Sequence, residues 1–293
     1  MALVSVRNAG LDGGAIRKLK TAVGNIIPIN NTYLFLPLNE SSTSHTAYGG
    51  LSSSVVVSAG GSYTTSRTPY SIDSTSPYGT NTSCYYCNGE NSTFQVSSSN
   101  NVWANMGTSD FCIDFWFYWV QYGNGGGSYG YIGDFNFQNG TYFPRSGQGS
   151  SSGSYVVVGA VGNNTIDNTG IGSHAVNGLG VWSHLLVLRQ SQIKYSFLNG
   201  VLADVGSDAT SYTNGGTMTF GVQGRPGHWW AVNLADVMIT RSSNIQYNVS
   251  NITSSDLGTT YFTPPEYKNK RMAIPSASNF TVVNLPDSDY VAT

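Results

Sequence analysis

Residues 111–119 read Phe-Cys-Ile-Asp-Phe-Trp-Phe-Tyr-Trp, and this run restricts the fold more than any other stretch of the chain. At a period of two, Phe111, Ile113, Phe115, Phe117 and Trp119 fall on one face, and Cys112, Asp114, Trp116 and Tyr118 on the other. A helix would crowd these rings against its preceding turn, whereas a pleated strand accommodates them. The first face is apolar throughout and belongs in a core. The second mixes apolar and polar groups and calls for a groove or a neighbouring layer.

Shorter pieces of the same kind recur along the chain. Strands are predicted over 33–38, where Pro37 suits an edge, and over 54–58, 131–137, 155–161, 182–189, 193–198, 201–205, 217–222 and 231–240. Asn199-Gly200 supplies the positive φ values of a two-residue hairpin turn. Leu234, Val237 and Ile239 are expected to point inward around Asp236, and Trp182 to cap one end of the core. Turn signals every 8–12 residues with no long amphipathic helix predict a sandwich or barrel.

Composition agrees. Hydrophobic residues make up 40% of the 293 and aromatic residues 13%, enough for a sizeable core. Charged residues are only 10%, against roughly 25% in an average globular protein. Ser, Asn, Thr and Gly cover the surface instead, as in chains that pack against copies of themselves or other proteins. The net charge of −2 gives no global pull toward nucleic acid or an acidic membrane. Residues 1–30 differ: Arg7, Arg17, Lys18 and Lys20 form a basic arm closed by Pro28. The expected organisation is an anchoring arm over 1–30, a sandwich over 31–265 and a C-terminal extension over 266–293. In that extension, 280–283 is strand-like and suited to adding to a neighbour's sheet edge.

The three cysteines, Cys84, Cys87 and Cys112, form no disulfide framework. Cys84-Tyr-Tyr-Cys87 matches the redox CxxC only in letters, for no βαβ context surrounds it. No secretory signal opens the chain, and no run approaches the roughly 20 apolar residues of a membrane span. The expected place of synthesis is a host cytoplasm, with no membrane partner. Sequons such as Asn251-Ile252-Thr253 then follow from composition alone.

Five segments, in order, resemble the laminin-G-like branch of the concanavalin-type lectin and glucanase superfamily, in the form found in bacteriophage virion proteins. They are YLFLPLNE from Tyr33, SPYGTNTSCYYCNGENSTFQV from Ser76, GTSDFCIDFWFYW from Gly107, VWSHLLVLRQSQIKYSFLNGVLADV from Val181, and FGVQGRPGHWWAVNLADVMITRSSNIQY with the later YFTPP. The resemblance covers about residues 31–265. It implies an all-β, two-sheet antiparallel jelly-roll sandwich with terminal extensions. It implies little about activity, because this fold serves lectins, hydrolases and structural modules alike.

Catalytic chemistry finds poor material. The glucanase branch pairs acids as Glu-x-Asp-x-x-Glu, whereas Glu40, Glu90 and Glu266 are the only glutamates and none has such a partner. Asp114 stands alone on its strand and is read as a hydrogen-bond acceptor. His184 belongs to the resemblance's strand motif and is read as structural; His45, His174 and His228 stand beside no nucleophile elbow. The chain is therefore expected not to be an enzyme. No cofactor is called for. Sandwiches of this type often carry a structural calcium ion, but no acidic loop assigns ligands here, and the family's paired acid is replaced by Ala235.

Recognition finds better material. Arg225-Pro-Gly-His228-Trp229-Trp230 precedes a core strand, and Tyr122, Tyr129 and Tyr131 flank a glycine-rich stretch. Aromatic faces with a few polar groups suit sugars and protein interfaces alike. The candidate ligand residues are Tyr129, Arg225, His228 and Trp229; the candidate assembly contacts are Arg7, Arg17, Lys18 and Lys20. The functional expectation is a virion structural protein, an exterior decoration, fibre or tail-associated subunit located in the particle. Its partners would be other virion proteins and copies of itself, with no nucleic acid. The alternatives are an adhesin that binds host glycans and an unrecognised glycan hydrolase.

Overall fold

The computed structural model describes Leu36 and residues 107–118, 182–209, 211, 232–241, 245–264 and 276–281 with their side chains, and the other strands by backbone course alone. The strands are β1 (Asn25–Ile27), β2 (Tyr33–Leu36), β3 (Val55–Gly60), β4 (Tyr70–Ile72), β5 (Ser83–Cys87), β6 (Thr93–Ser98), β7 (Phe111–Gln121), β8 (Tyr129–Asp134), β9 (Tyr142–Gly149) and β10 (Gly153–Val157). They continue with β11 (Trp182–Gln190), β12 (Ile193–Leu198), β13 (Val201–Ser207), β14 (Met218–Phe220), β15 (Ala231–Arg241), β16 (Tyr247–Val249), β17 (Phe262–Thr263), β18 (Ile274–Pro275), β19 (Phe280–Val282) and β20 (Asn284–Pro286). A single 3₁₀ turn, Ser254–Asp256, is the helical element among the described residues.

The fold is an all-β sandwich of antiparallel sheets. One sheet has the order β13-β12-β11-β7-β15-β5-β4, with β2 also paired to β15; the other runs β10-β9-β8-β14-β6-β3. The aromatic run lies at the centre of the first sheet, between β11 and β15. Its odd face carries Phe111, Ile113, Phe115 and Phe117, all fully buried. Leu185 and Val187 of β11 pair with Phe115 and Ile113 and continue that face.

The even face is buried as well. Cys112, Leu186, Leu188, Phe197 and Leu202 join Tyr247, Val249, Ile252, Tyr261, Phe262 and Phe280 in one apolar cluster. The neighbouring layer expected on this face is therefore supplied by the chain's own residues 245–264 and 276–281. The expectation that 280–283 adds to another molecule's sheet is corrected here. Phe280–Val282 pairs with Tyr247–Val249, and the Phe280 ring stacks on Phe262 at 4.7 Å. Burial of a phenylalanine outweighs the gain from an edge ladder left to a partner.

Register explains the inward residues of β15. A bulge between Ala235 and Met238 leaves Asp236 at φ 51, and two residues there face one on β7. The extra residue shifts the parity, so Leu234, opposite Phe117, and Ile239, opposite Ile113, line the same face. Strand ends differ from expectation where a partner sets them. β8 ends at Asp134 opposite Tyr142, where the chain turns back into β9. β9 itself has no strand-like composition: YFPRSGQG holds a proline and two glycines, and its ladders with β8 and β10 define it.

Candidate functional site

The described polar core groups hold the structure together. His184 Nε2 lies 2.9 Å from Asp114 Oδ1, and Tyr247 donates its hydroxyl to Asp114 Oδ2 at 3.2 Å. His184 Nδ1 is buried without a hydrogen-bond partner, so Nε2 is the nitrogen that serves as donor. Trp116 and Phe262 meet the imidazole edge-on at 5.1 and 6.0 Å. Asp114 thus accepts hydrogen bonds, and His184 is part of the core, out of reach of any substrate.

Arg189 is the largest fully buried side chain among the described residues. It donates through Nε to Ser109 O at 3.0 Å and through Nη2 to Gly107 O at 2.9 Å and again to Ser109 O. Its guanidinium lies 4.8 Å from the Phe111 ring centre and 3.9 Å from Asp208. Lys194 pairs with Asp204 at 3.5 Å across the β12–β13 hairpin. Asp110 accepts from Ser191 N, and Asp256 closes a capping box with Thr253. With Asp236 buried at the bulge, every Asp described with its side chain is tied to a fold element. Among the described residues no three His, Cys, Asp or Glu side chains cluster to hold a metal ion, and no helix is long and apolar enough to cross a membrane.

Cys84 and Cys87 both lie in the extended strand β5, which puts their Cα atoms about 10 Å apart, beyond disulfide reach. The CxxC redox reading fails on that spacing. Cys112 is a buried free thiol.

In the first sheet, Gln121 at the end of β7 faces Ala231 at the start of β15, and Cys87 at the end of β5 faces Val232. In the second sheet, Phe220 at the end of β14 faces Phe94 near the start of β6 and Gly133 near the end of β8; β8 runs antiparallel to β14, so its start at Tyr129 lies beyond Phe220 at that same end. The strand ends joined by connections 88–92, 122–128 and 221–230 therefore lie at the same end of the two sheets.

Tyr129 is the first residue of β8, paired with Gly147, so it stands where connection 122–128 ends. Arg225, His228 and Trp229 belong to connection 221–230 and lie outside the described residues, as do Arg7, Arg17, Lys18 and Lys20. The sequence alone did not reveal that Tyr247 completes the Asp114 network, because 133 positions separate the two and no local pattern joins them. Nor did it show that Asp208 meets Arg189.

These observations define a class: an antiparallel β-sandwich with structural polar groups in its core and the strand ends joined by three sheet-to-sheet connections, 88–92, 122–128 and 221–230, at one end. No family model and no curated protein matches the chain. Among solved structures, the binding domain of Paraclostridial Mosquitocidal Protein 1 superposes with a TM-score of 0.47 at 16% identity, covering 73% of this chain and 50% of that one. The receptor binding domain of botulinum neurotoxin D gives 0.45 at 13% identity, covering 73% and 50%. The receptor binding domain of botulinum neurotoxin type G gives 0.44 at 12% identity, covering 74% and 48%. The chain spans about half the length of the solved structures it matches.

Proposed function

We propose that this chain is a non-catalytic recognition module, a jelly-roll sandwich of the concanavalin-like kind that binds surface carbohydrate at the end where β7 finishes and β15 begins. The observation that carries the reading is the convergence of connections 88–92, 122–128 and 221–230 on that end. In sequence these connections carry Tyr122, Arg225, His228, Trp229 and Trp230, and Tyr129 follows at the start of β8. Sugar rings are held by aromatic faces and a few fixed polar donors, and these are the residue types present. The structural employment of each described Asp supports a binding role over an acid–base one.

A glycan array with the full chain tests the proposal. Selective binding that Trp229→Ala abolishes, with the melting temperature unchanged, is the expected result. Silence across the array from folded protein removes the sugar reading. Release of reducing ends from any bound polysaccharide removes the non-catalytic one.

A second reading, an exterior subunit of a virus particle anchored by its termini, is favoured by one feature. β1 runs parallel to β20, which sets the N-terminal and C-terminal segments side by side. With Arg7, Arg17, Lys18 and Lys20 on the N-terminal side, such a pair suits an acidic patch on another protein. Deleting residues 1–24, which spares β1, should leave the circular dichroism spectrum intact and block incorporation into particles or oligomers. Normal assembly of the truncated chain would exclude this anchoring role.

A further inference from the structure

We propose that Asn199-Gly200 is a conformation-gated modification site: inert to deamidation in the folded chain, reactive once the β12–β13 hairpin leaves the strap formed by residues 258–262, and unable to re-dock in its isoaspartyl form. Asn-Gly pairs are the most reactive toward cyclisation because glycine leaves the attacking backbone nitrogen unshielded. In that reaction the Gly200 nitrogen attacks Asn199 Cγ and gives up its proton, and the Cγ–Nδ2 bond breaks to release ammonia. Water then opens the cyclic imide at either carbonyl, giving aspartate or isoaspartate.

The folded geometry opposes the first step. Asn199 and Gly200 sit at φ 51 and 82, the two positive values of a tight turn closed by the Leu198–Val201 pair. Asn199 is held on both sides, its Oδ1 accepting from His184 N at 2.8 Å and its own N–H donating to His184 O at 2.9 Å. Gly200 O accepts from Tyr261 N at 2.8 Å. Ring closure requires the Gly200 nitrogen to swing against Cγ, and it must break this set to do so. Exposure of the Asn199 side chain to water is therefore not sufficient for reaction.

The products differ in whether they fit. Aspartate keeps an oxygen where His184 N–H needs an acceptor. Isoaspartate adds a methylene to the backbone of the turn, beside a glycine with no space: a Cβ on Gly200 would stand 1.8 Å from Phe262 O. The turn thus converts an episode of unfolding into a lasting covalent mark.

The test ages the full chain at mildly alkaline pH, folded and in urea, and follows each Asn-Gly peptide by mass and by isoaspartyl methyltransferase labelling. Asn88, Asn124, Asn139, Asn177 and Asn214 also precede glycine and serve as references for intrinsic reactivity. In urea Asn199 should react alongside them; in the folded chain it should slow by at least roughly tenfold, as expected for a site that must open first. After return to native buffer, isoaspartyl-199 chains should be absent from the folded fraction, and Asn199→Asp should fold normally. Equal rates at Asn199 in the folded and unfolded chain overturn the gating, and recovery of isoaspartyl-199 in the folded fraction overturns the failure to re-dock.

Discussion

His184 Nε2 and Asp114 Oδ1 sit 2.9 Å apart with both side chains fully buried, joining β11 to β7 at the layer where Tyr247 closes over them. Removing one member of a buried pair strands the other, a loss of about 3–5 kcal/mol. Asp114→Ala should therefore destabilise by that amount in urea unfolding, while His184→Ala and the double variant should show coupling. A loss below about 1 kcal/mol would mean that the contact is incidental.

Phe115 lies at the centre of the odd face of β7, opposite Leu185, with no exposure. Phe115→Ala should cost about 3–5 kcal/mol, the range for a buried ring replaced by a cavity. An unchanged thermal melt would remove the inward assignment of that face.

Much of this centre was legible in the sequence, for a physical reason. β7 is a long strand whose alternation stands out without tertiary information, β11 and β12 are apolar runs on either side of a tight polar turn, and Asn199-Gly200 announces its own turn. What escaped depends on partners distant in sequence. β9 is strand only because β8 and β10 flank it, against the preferences of Pro144, Gly147 and Gly149. Phe280 reads as the start of an unpaired edge until Tyr247–Val249 is seen beside it. That β5, β7 and β14 finish at the same end follows only from the register of Cys87 with Val232, Gln121 with Ala231 and Phe220 with Phe94, which no local pattern announces.

Three glycines with positive φ separate conformational strain from lack of space. A methyl group on Gly107 or Gly258 would meet nothing within 4 Å, whereas at Gly200 the backbone of Phe262 occupies the position. Gly258→Ala should cost about 1 kcal/mol, the strain of a left-handed alanine. Gly200→Ala should cost about 3 kcal/mol or more, because β13 must also move off residues 259–262. Similar losses at the two sites would show that the close approach to Phe262 yields without penalty.

Alkaline pH should loosen the even-face cluster. Burial raises the phenols of Tyr195 and Tyr261 above their ordinary value of 10.0; at Tyr261 Asp256 adds to the rise and a hydrogen bond from Asn279 opposes it. The folded chain then holds these protons more tightly than the unfolded one. Their contribution is complete below pH 10 and is lost as pH climbs through the raised folded values. Unfolding midpoints should fall above about pH 10, and Tyr195→Phe should flatten the decline. A midpoint that holds steady through that range would contradict the shifts.

The C-terminal residues provide the most direct test of how the sheet's second face is covered. Phe280 is fully buried, with ring centres 4.7 Å from Phe262, 5.2 Å from Tyr247 and 5.5 Å from Phe197. Its strand pairs with β16, and Ser276 N and Ala277 N both donate to Tyr261 O. An appendage would come away without consequence, but these residues share a core with Cys112, Leu186 and Leu188 of the central strands. Removing 266–293 should therefore expose the even face, broaden the thermal transition and raise binding of a hydrophobic dye. The single substitution Phe280→Ala should reproduce part of this, at about 3–5 kcal/mol, without shortening the chain. If the truncated protein melts as sharply and as high as the full chain, the apolar cluster is not part of the folding unit and the sandwich stands without its outer layer.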